Sequence, residues 1–259
     1  MNRFKEIYNY REMIYSLVRR ELRGRYQRSV LGILWTLLNP MFQILVYTVI
    51  FTYIFPSYID EYYLYLMTGL IPWTFLNESL MEGASSVIAN GDLTRKIYFP
   101  RDVLVISKVT SKFVSFLLSM IVVFIFLTFS HRGLGIKYLI ALPVVMVIEY
   151  IMCLGFALFF SAITVYFRDM EYIVGVIMMA WVWATPIMYE ANAIENQIVR
   201  SLIGFNPMTG IITAYHNILY YQQFPEWQAL GMSFITALII LMLGELIFIK
   251  LEANFAEEL

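Results

Sequence analysis

Residues 31–55 read LGILWTLLNPMFQILVYTVIFTYIF and contain no charged side chain. A helix needs about 20 apolar residues to cross the roughly 30 Å hydrocarbon core of a membrane. The stretch is therefore predicted to be a transmembrane helix, and lipid is the solvent that surrounds it.

The composition of the whole chain extends this interpretation to most of its length. Of the 259 residues, 60% are hydrophobic and 14% are charged, against about 45–50% and 25% in ordinary globular domains. A soluble fold of this size cannot hide so much apolar surface, because much of its exterior must face water. The sequence predicts an all-α, polytopic membrane protein.

Further apolar runs of suitable length follow the first one. Six transmembrane helices are predicted, at about residues 31–55, 62–80, 113–130, 138–166, 172–189 and 230–249. They form one transmembrane domain over residues 29–259. In the outside segment 190–228, residues Ile211–Tyr221 are apolar but too short to cross, and Asn206-Pro207 and Gly210 break the chain before them. We interpret this part as a re-entrant or interfacial hairpin before the last span.

The N-terminal residues 1–28 carry eight basic side chains and no apolar segment of the signal-peptide kind. Their apolar residues recur every three or four positions, which predicts an amphipathic helix lying in the headgroup layer. A helix of a small soluble appendage is the alternative. In the six-span arrangement, 15 lysines and arginines fall on the side of both termini and three on the other. The positive-inside rule therefore predicts cytoplasmic termini.

Several classes of chemistry have no signature in the chain. There is no G-x-x-x-x-G-K-[ST] loop for ATP phosphates, no nucleophile elbow and no reason to assign His131 or His216 to a metal. We therefore predict no catalytic, cofactor-binding or metal-binding residue, and a net charge of −1 gives no indication of nucleic-acid binding. The single cysteine, Cys153, excludes an intrachain disulfide.

Ionisable groups inside predicted spans are candidates for a function in transport. Glu149 and Glu245 are the strongest, although we expect no Lys or Arg at matching depth in any span. Glu78 and Glu82 are expected near the end of the second span, in reach of headgroups or water. Snorkelling or pairing with a tyrosine explains these carboxylates as well as ion coupling does.

Aromatic residues are abundant and some lie away from the span ends. Tyr47 and Phe51 share a stripe of the first span, and Trp181 and Trp183 lie along the fifth. Aromatic faces would suit the passage of sugar rings through a pore, and helix packing explains the same stripes.

A series of motifs carries a family resemblance over essentially the whole chain. They are RYQRSVLGILWTLLNP (25–40), GLIPWTF (69–75), NGDLTRKIYFPRDVLVIS (90–107), YFRDMEY (166–172), ATPIMY (184–189) and NPMTGI (206–211). In this order they resemble the membrane subunit of bacterial type-2 ABC exporters for polysaccharides such as O-antigen, capsule or teichoic acid.

The resemblance implies a homodimer in the bacterial cytoplasmic (inner) membrane, working with two copies of a soluble ATPase subunit that bind ATP and Mg²⁺. The substrate implied is a lipid-linked polysaccharide. The residues implied for coupling to the ATPase lie in the cytoplasmic loop 90–102 and in the turn between spans four and five: Asp92, Arg95, Lys96, Tyr98, Phe99, Pro100, Arg101, Arg168, Asp169 and Glu171. Tyr47, Phe51, Trp181 and Trp183 would line the channel, and Arg19, Arg20, Arg23 and Arg25 would attract the lipid headgroup.

Three alternatives remain at this point. A type-2 ABC permease for lipids or drugs shares the six-span plan. An ion-coupled carrier would use Glu149 and Glu245. An integral membrane enzyme would need clustered His, Asp or Glu at the membrane surface, and the sequence contains no such cluster.

Overall fold

The computed structural model describes residues 3–24, 34–54, 58–131, 133 and 135–255. The regular elements in these ranges are all helical, which confirms the predicted all-α class. The α-helices, in chain order, are α1 (Arg3–Asn9), α2 (Arg11–Gly24), α3 (Trp35–Val49), α4 (Tyr62–Ala84), α5 (Ser86–Ala89), α6 (Gly91–Lys96), α7 (Asp102–Phe129), α8 (Ile136–Leu139), α9 (Leu142–Tyr166), α10 (Met170–Trp181), α11 (Gln197–Phe205), α12 (Pro207–Tyr215) and α13 (Trp227–Glu252). Five-residue π-helical turns, Ile50–Ile54 and His216–Tyr220, extend α3 and α12.

Helix α4 lies at the centre of the bundle. It contacts α3, α7, α9, α10 and α12, and its residues are mostly buried. Because other helices surround most of it, α4 can carry the buried Thr68 and the half-buried Asn77 and Glu78 among its polar residues.

The outer helices α9 and α13 approach each other more closely than ordinary side chains allow. A Cβ atom on Gly155 would lie 2.6 Å from the backbone nitrogen of Leu241, and one on Gly244 would overlap the Gly155 carbonyl oxygen. Small residues at such a contact bring two backbones together, and van der Waals packing then stabilises the pair in lipid.

Four helical segments within the described ranges are long and apolar enough to cross a membrane. They are Leu37–Ile54, Asp102–Phe129, Ile136–Tyr166 and Trp227–Glu252. They correspond to the first, third, fourth and sixth predicted spans. The helix at the third predicted span, α7, begins at Asp102. Residues 102–112, which were expected in a cytoplasmic loop, therefore belong to this helix. The count of six spans stays a prediction.

The fifth predicted span, 172–189, differs from a continuous helix. Helix α10 ends at Trp181 after 12 residues, a rise of about 18 Å, and residues 182–189 form turns. Pro186 has no N–H to donate, and the carbonyls that leave the helix need other donors. The side chain of Asn206 donates to the carbonyl of Ala184 at 3.0 Å, and Tyr62 Oη donates to that of Met188 at 2.7 Å.

The segment predicted as a re-entrant hairpin contains two short helices. Asn196 caps α11 by accepting from the amide of Ile198 at 2.9 Å, and Asn206 caps α12 by accepting from that of Met208 at 3.0 Å. Helix α12 packs against α4, α9 and α13 and is largely buried, whereas α11 is mostly exposed. Its re-entrant position in the membrane remains a prediction.

The close contact between α9 and α13 makes Gly155 a sensitive position. We expect Gly155→Leu to destabilise the protein by at least about 2 kcal/mol, because the added side chain meets backbone that cannot move aside. The measurement is the unfolding midpoint in mild detergent. Gly231→Ala on α13 is the matched control, since a Cβ there meets no atom within 4 Å. Equal stability of the two variants would contradict the inferred contact.

Candidate functional site

The two terminal segments of the described chain meet at one end of the bundle. Arg3 Nε donates to Asp102 Oδ2 at 2.9 Å, and the same guanidinium pairs with Glu252. The other Glu252 oxygen accepts from the backbone N–H of Arg101 at 2.9 Å, and the Arg101 side chain donates to the Glu252 carbonyl at 2.6 Å. We call these four residues the terminal anchor.

The carboxylates of the terminal anchor compensate the charge of Arg3. Burial lowers the pKa of the Arg3 guanidinium, but the neighbouring carboxylates of Asp102 and Glu252 outweigh this effect, and the net result is a raised pKa. Several charge-assisted hydrogen bonds therefore tie α1, the start of α7 and the end of α13 together.

The turn between α9 and α10 lies at the same end. Tyr166 Oη donates to the carbonyl of Leu251 at 3.0 Å, and its ring contacts that of Phe255. The guanidinium of Arg101 lies 5.6 Å from the centre of the same Phe255 ring. The residues at the end of α13 and just after it thus contact both segments that were predicted to couple to an ATPase, the 90–102 loop and the turn between α9 and α10.

The predicted coupling residues fall into an exposed group and a buried one. Tyr98 is 90% exposed, and Asp92 and Lys96 are exposed beside it. In the second segment Arg168, Asp169 and Glu171 are also exposed. Pro100 and Phe99 are buried, and Arg101 belongs to the terminal anchor. The side chain of Arg95 lies outside the described part of the chain.

Phe99 attaches the loop to the N-terminal helices. It is 4% exposed and clusters with Leu17 of α2 and with Val103 and Leu104 of α7. The backbone at Ile97 is extended, and neighbouring side chains of an extended chain point in opposite directions. Tyr98 therefore faces outward while Phe99 faces inward.

The arginines predicted to attract a headgroup lie on α2. Arg19, Arg20 and Arg23 are exposed, and Arg20 also donates to Asn90 Oδ1 at 2.7 Å. Arg25 lies outside the described residues. The three described arginines leave a cationic surface beside the loop that carries Tyr98.

A chain of alternating charges leads from α2 into the bundle. Lys108 Nζ lies 2.7 Å from Glu21 and 3.5 Å from Glu82, and Lys112 Nζ lies 3.0 Å from Glu78 and also contacts Glu82. We call these residues the ionic ladder. The side chain of Lys112 is 1% exposed, so its ammonium depends on these carboxylates for the charge compensation that water would otherwise give.

The four residues predicted to line a channel have different environments. Tyr47 on α3 and Phe51 in the π-helical turn that follows are half-buried, and the Phe51 ring contacts that of Tyr62. The indole of Trp181 donates to Asn206 Oδ1 at 2.9 Å, whereas Trp183 is 59% exposed. A hydrogen bond to another residue of the chain therefore holds the side chain of Trp181, whereas that of Trp183 is exposed.

The intramembrane glutamates also differ. Glu149 is fully buried and one of its oxygens accepts from Tyr215 Oη at 2.6 Å. Glu245 is half-buried on α13. The tyrosine partner matches the structural explanation considered for these residues, and no basic residue in the described chain forms an ion pair with either.

A comparison with known families decides between the remaining classes. The family described as ABC-2 type transporter matches residues 12–220. This chain belongs to the ABC-2 type transporter family. An O-antigen export system permease protein RfbA of Myxococcus xanthus is 33% identical over 256 residues, 98% of this chain and 98% of the relative. Two O-antigen export system permease proteins RfbA of Klebsiella pneumoniae are 29% and 28% identical over 246 residues, 95% of this chain and 94% of each relative.

Sequence reasoning missed the basic partner of Glu78 and Glu82. Both glutamates were expected to reach headgroups or water, and Lys108 and Lys112 were assigned to a loop. The lysines instead lie on α7, facing α4. The available signal was the matching spacing, because Glu78 and Glu82 are four residues apart and so are Lys108 and Lys112. Such pairs can meet across two helices.

In the ionic ladder, we expect loss of the positive charge and loss of the negative charges to lower the stability of the protein by different amounts. Lys112→Met should cost about 1 kcal/mol, because the half-exposed glutamates can be solvated. Glu78→Gln with Glu82→Gln should cost more, about 2–3 kcal/mol, because it leaves the buried ammonium of Lys112 with less compensation. Thermal unfolding in detergent measures both.

The triple variant that combines all three substitutions is the control for this comparison. Without a buried charge to compensate, it should regain most of the stability that the double glutamine variant loses. A triple variant less stable than the double variant would contradict charge compensation as the cause.

Proposed function

We propose that this chain is the membrane subunit of an ATP-driven exporter that moves a lipid-linked polysaccharide of the O-antigen class across the bacterial cytoplasmic membrane. The observation that carries the proposal is similarity along nearly the full length, 33% identity over 98% of the chain, to a relative named as an O-antigen export permease. Capsule and teichoic acid polymers belong to the same chemical class of substrate.

The energy for export comes from a separate subunit. The chain carries no G-x-x-x-x-G-K-[ST] loop of its own, so two copies of a soluble ATPase would bind ATP and Mg²⁺ beside a homodimer of this chain. The exposed residues Tyr98, Lys96 and Arg168 give the ATPase a surface of aromatic and charged groups at one end of the bundle. Asp92, Asp169 and Glu171 belong to the same surface.

Movement at this surface would reach the bundle through two sets of contacts. The terminal anchor links the loop before α7 to the ends of the chain, and the ionic ladder links α2 to α4 and α7. When the ATPase copies close on ATP, these contacts would shift α7, and the hydrogen bond from Tyr166 to Leu251 would carry the movement to the turn before α10. The channel would then open between the two permease copies.

Aromatic residues would form the wall of the channel. Tyr47 and Phe51 on α3 and Trp181 and Trp183 near the end of α10 present rings that can stack on sugars without strong directional preference. The hydrogen bond from Trp181 to Asn206 would hold one of these rings in a fixed orientation.

The topology proposed for the chain has six crossings with both termini in the cytoplasm. Helix α10 and the turns after it would make the fifth crossing, which is possible because side chains satisfy the backbone there. Helices α11 and α12 would form the re-entrant hairpin. Arg19, Arg20, Arg23 and Arg25 would then face the cytoplasmic leaflet, where a phosphorylated lipid headgroup arrives.

Co-purification tests the proposed function. The tagged chain, extracted from its host in mild detergent, is expected to bring down a soluble protein with a Walker A motif in one-to-one ratio, quantified by mass spectrometry. An unrelated six-span protein with the same tag is the control. If no ATPase is enriched even after crosslinking, the exporter proposal is overturned.

Substitution of two adjacent residues distinguishes an effect on ATPase docking from an effect on folding. Tyr98→Ala should reduce ATPase recovery at least about fivefold with an unchanged unfolding midpoint, because its side chain is 90% exposed. Phe99→Ala should lower stability by about 3 kcal/mol through the cavity it leaves against Leu17. Full ATPase recovery with Tyr98→Ala would remove this residue from the docking surface.

A further inference from the structure

Three helices bring polar stripes to one partly open groove, in which Asn39 and Gln43 are exposed and Trp35 is 37% exposed. On α3 the stripe is Trp35, Asn39 and Gln43, on α4 it is Thr74, Glu78 and Glu82, and on α7 it is Lys112, Ser115 and Ser119. Together they line a cavity of about 460 Å³, a size typical of small-molecule sites. Polar side chains on helices that cross a membrane are rare and are retained where they bind a ligand or line a hydrated path.

The fold leaves part of this polar surface unused. Asn39 and Asn77 form no side-chain hydrogen bond with any residue that the structure describes, although both line the cavity. Ser115 and Ser119 donate back to carbonyls of α7 at 3.2 Å, which leaves their oxygen lone pairs free to accept. Amide donors and hydroxyl acceptors are therefore available to a ligand.

The charge of the cavity selects against an anion. Lys112 and Lys108 pair with Glu78 and Glu82, so the charges of this cluster compensate one another. A diphosphate would meet no uncompensated cation in this lining, whereas the exposed arginines of α2 would attract it. The ligand that fits the cavity is uncharged and rich in hydroxyl groups.

Aromatic surface completes the set of groups that recognise sugars. The indoles of Trp35 and Trp73 lie in the same lining as the amides of Asn39 and Asn77. Indole rings cover the apolar face of a pyranose, and amides and carboxylates exchange hydrogen bonds with its hydroxyls. Neither set alone would distinguish a sugar from water or from lipid.

We propose that the cavity between α3, α4 and α7 binds a short uncharged segment of the exported glycan, next to the phosphorylated headgroup. This inference rests on the proposed function and adds a sugar subsite to it. The cavity is lined by residues in the second half of α4 and in the middle of α7, and Glu82 at its edge also pairs with Lys108, which contacts Glu21 of α2. The subsite would thus receive sugar from the cytoplasmic leaflet before the glycan reaches the aromatic channel.

Cysteine labelling of the full chain tests the subsite. Ser115→Cys is reconstituted with the co-purifying ATPase in nanodiscs and treated with a small hydrophilic thiol reagent. The parent chain, whose Cys153 is fully buried, gives the background. Leu117→Cys is the matched control, because it lies on the exposed face of α7, 40% exposed in the bundle, where lipid is expected.

The probe is farnesyl diphosphate carrying a neutral trisaccharide, compared with farnesyl diphosphate alone. We expect Ser115→Cys to react and Leu117→Cys not to react. At a concentration at least about four times its Kd, the glycosylated probe should slow the reaction at least about fivefold, because the rate falls by the factor 1 + [L]/Kd. The carrier without sugar should leave the rate unchanged. Ser119→Cys provides a second position if Ser115→Cys does not fold.

Three results would overturn the subsite. They are no reaction at either folded cavity cysteine, equal slowing by both carriers, and no slowing by the glycosylated one. In each case the nanodiscs still contain the ATPase, so the exporter proposal survives the loss of the subsite. Failure of the exporter proposal appears separately, as absence of the ATPase in the co-purification.

Discussion

Hydrocarbon offers no hydrogen-bond partner, so each peptide group of this chain that crosses the membrane must be satisfied inside the protein. Continuous helices meet this requirement along α7, α9 and α13. The turns after α10 are not helical, and there side chains take the place of helical hydrogen bonds: Asn206 donates to the carbonyl of Ala184, Tyr62 to that of Met188 and Tyr65 to that of Tyr189. Because those donors come from α4 and the loop before α12, the broken segment fixes the positions of both.

The same requirement explains why charge is concentrated in a few places. Lys112 is buried only because Glu78 and Glu82 lie opposite, and Arg3 is partly buried only because Asp102 and Glu252 surround it. Both networks join elements distant in sequence. They therefore connect the surface where an ATPase would dock to the helices that would have to move, with little flexible chain between them.

The sequence predicted the helical class, the apolar segments and the family, since all three depend on local composition, periodicity or ordered motifs. It also predicted a loop at 90–102, of which residues 97–101 lie outside helices, but it treated Tyr98 and Phe99 alike. One ring is exposed and the other is buried against Leu17. That difference depends on the presence of α2 above the loop, which no pattern within the loop indicates.

The sequence by itself determined that this chain is a helical membrane protein of the ABC-2 type transporter family. Only the tertiary structure decided that α10 stops at Trp181, that Lys108 and Lys112 face Glu82, and that three polar stripes line one partly open cavity. The physical reason is the range of the interactions. Helix formation in lipid is dictated by neighbouring residues. Ion pairs, hydrogen bonds from side chains to non-helical backbone, and cavities instead arise from helices that meet only in the folded bundle.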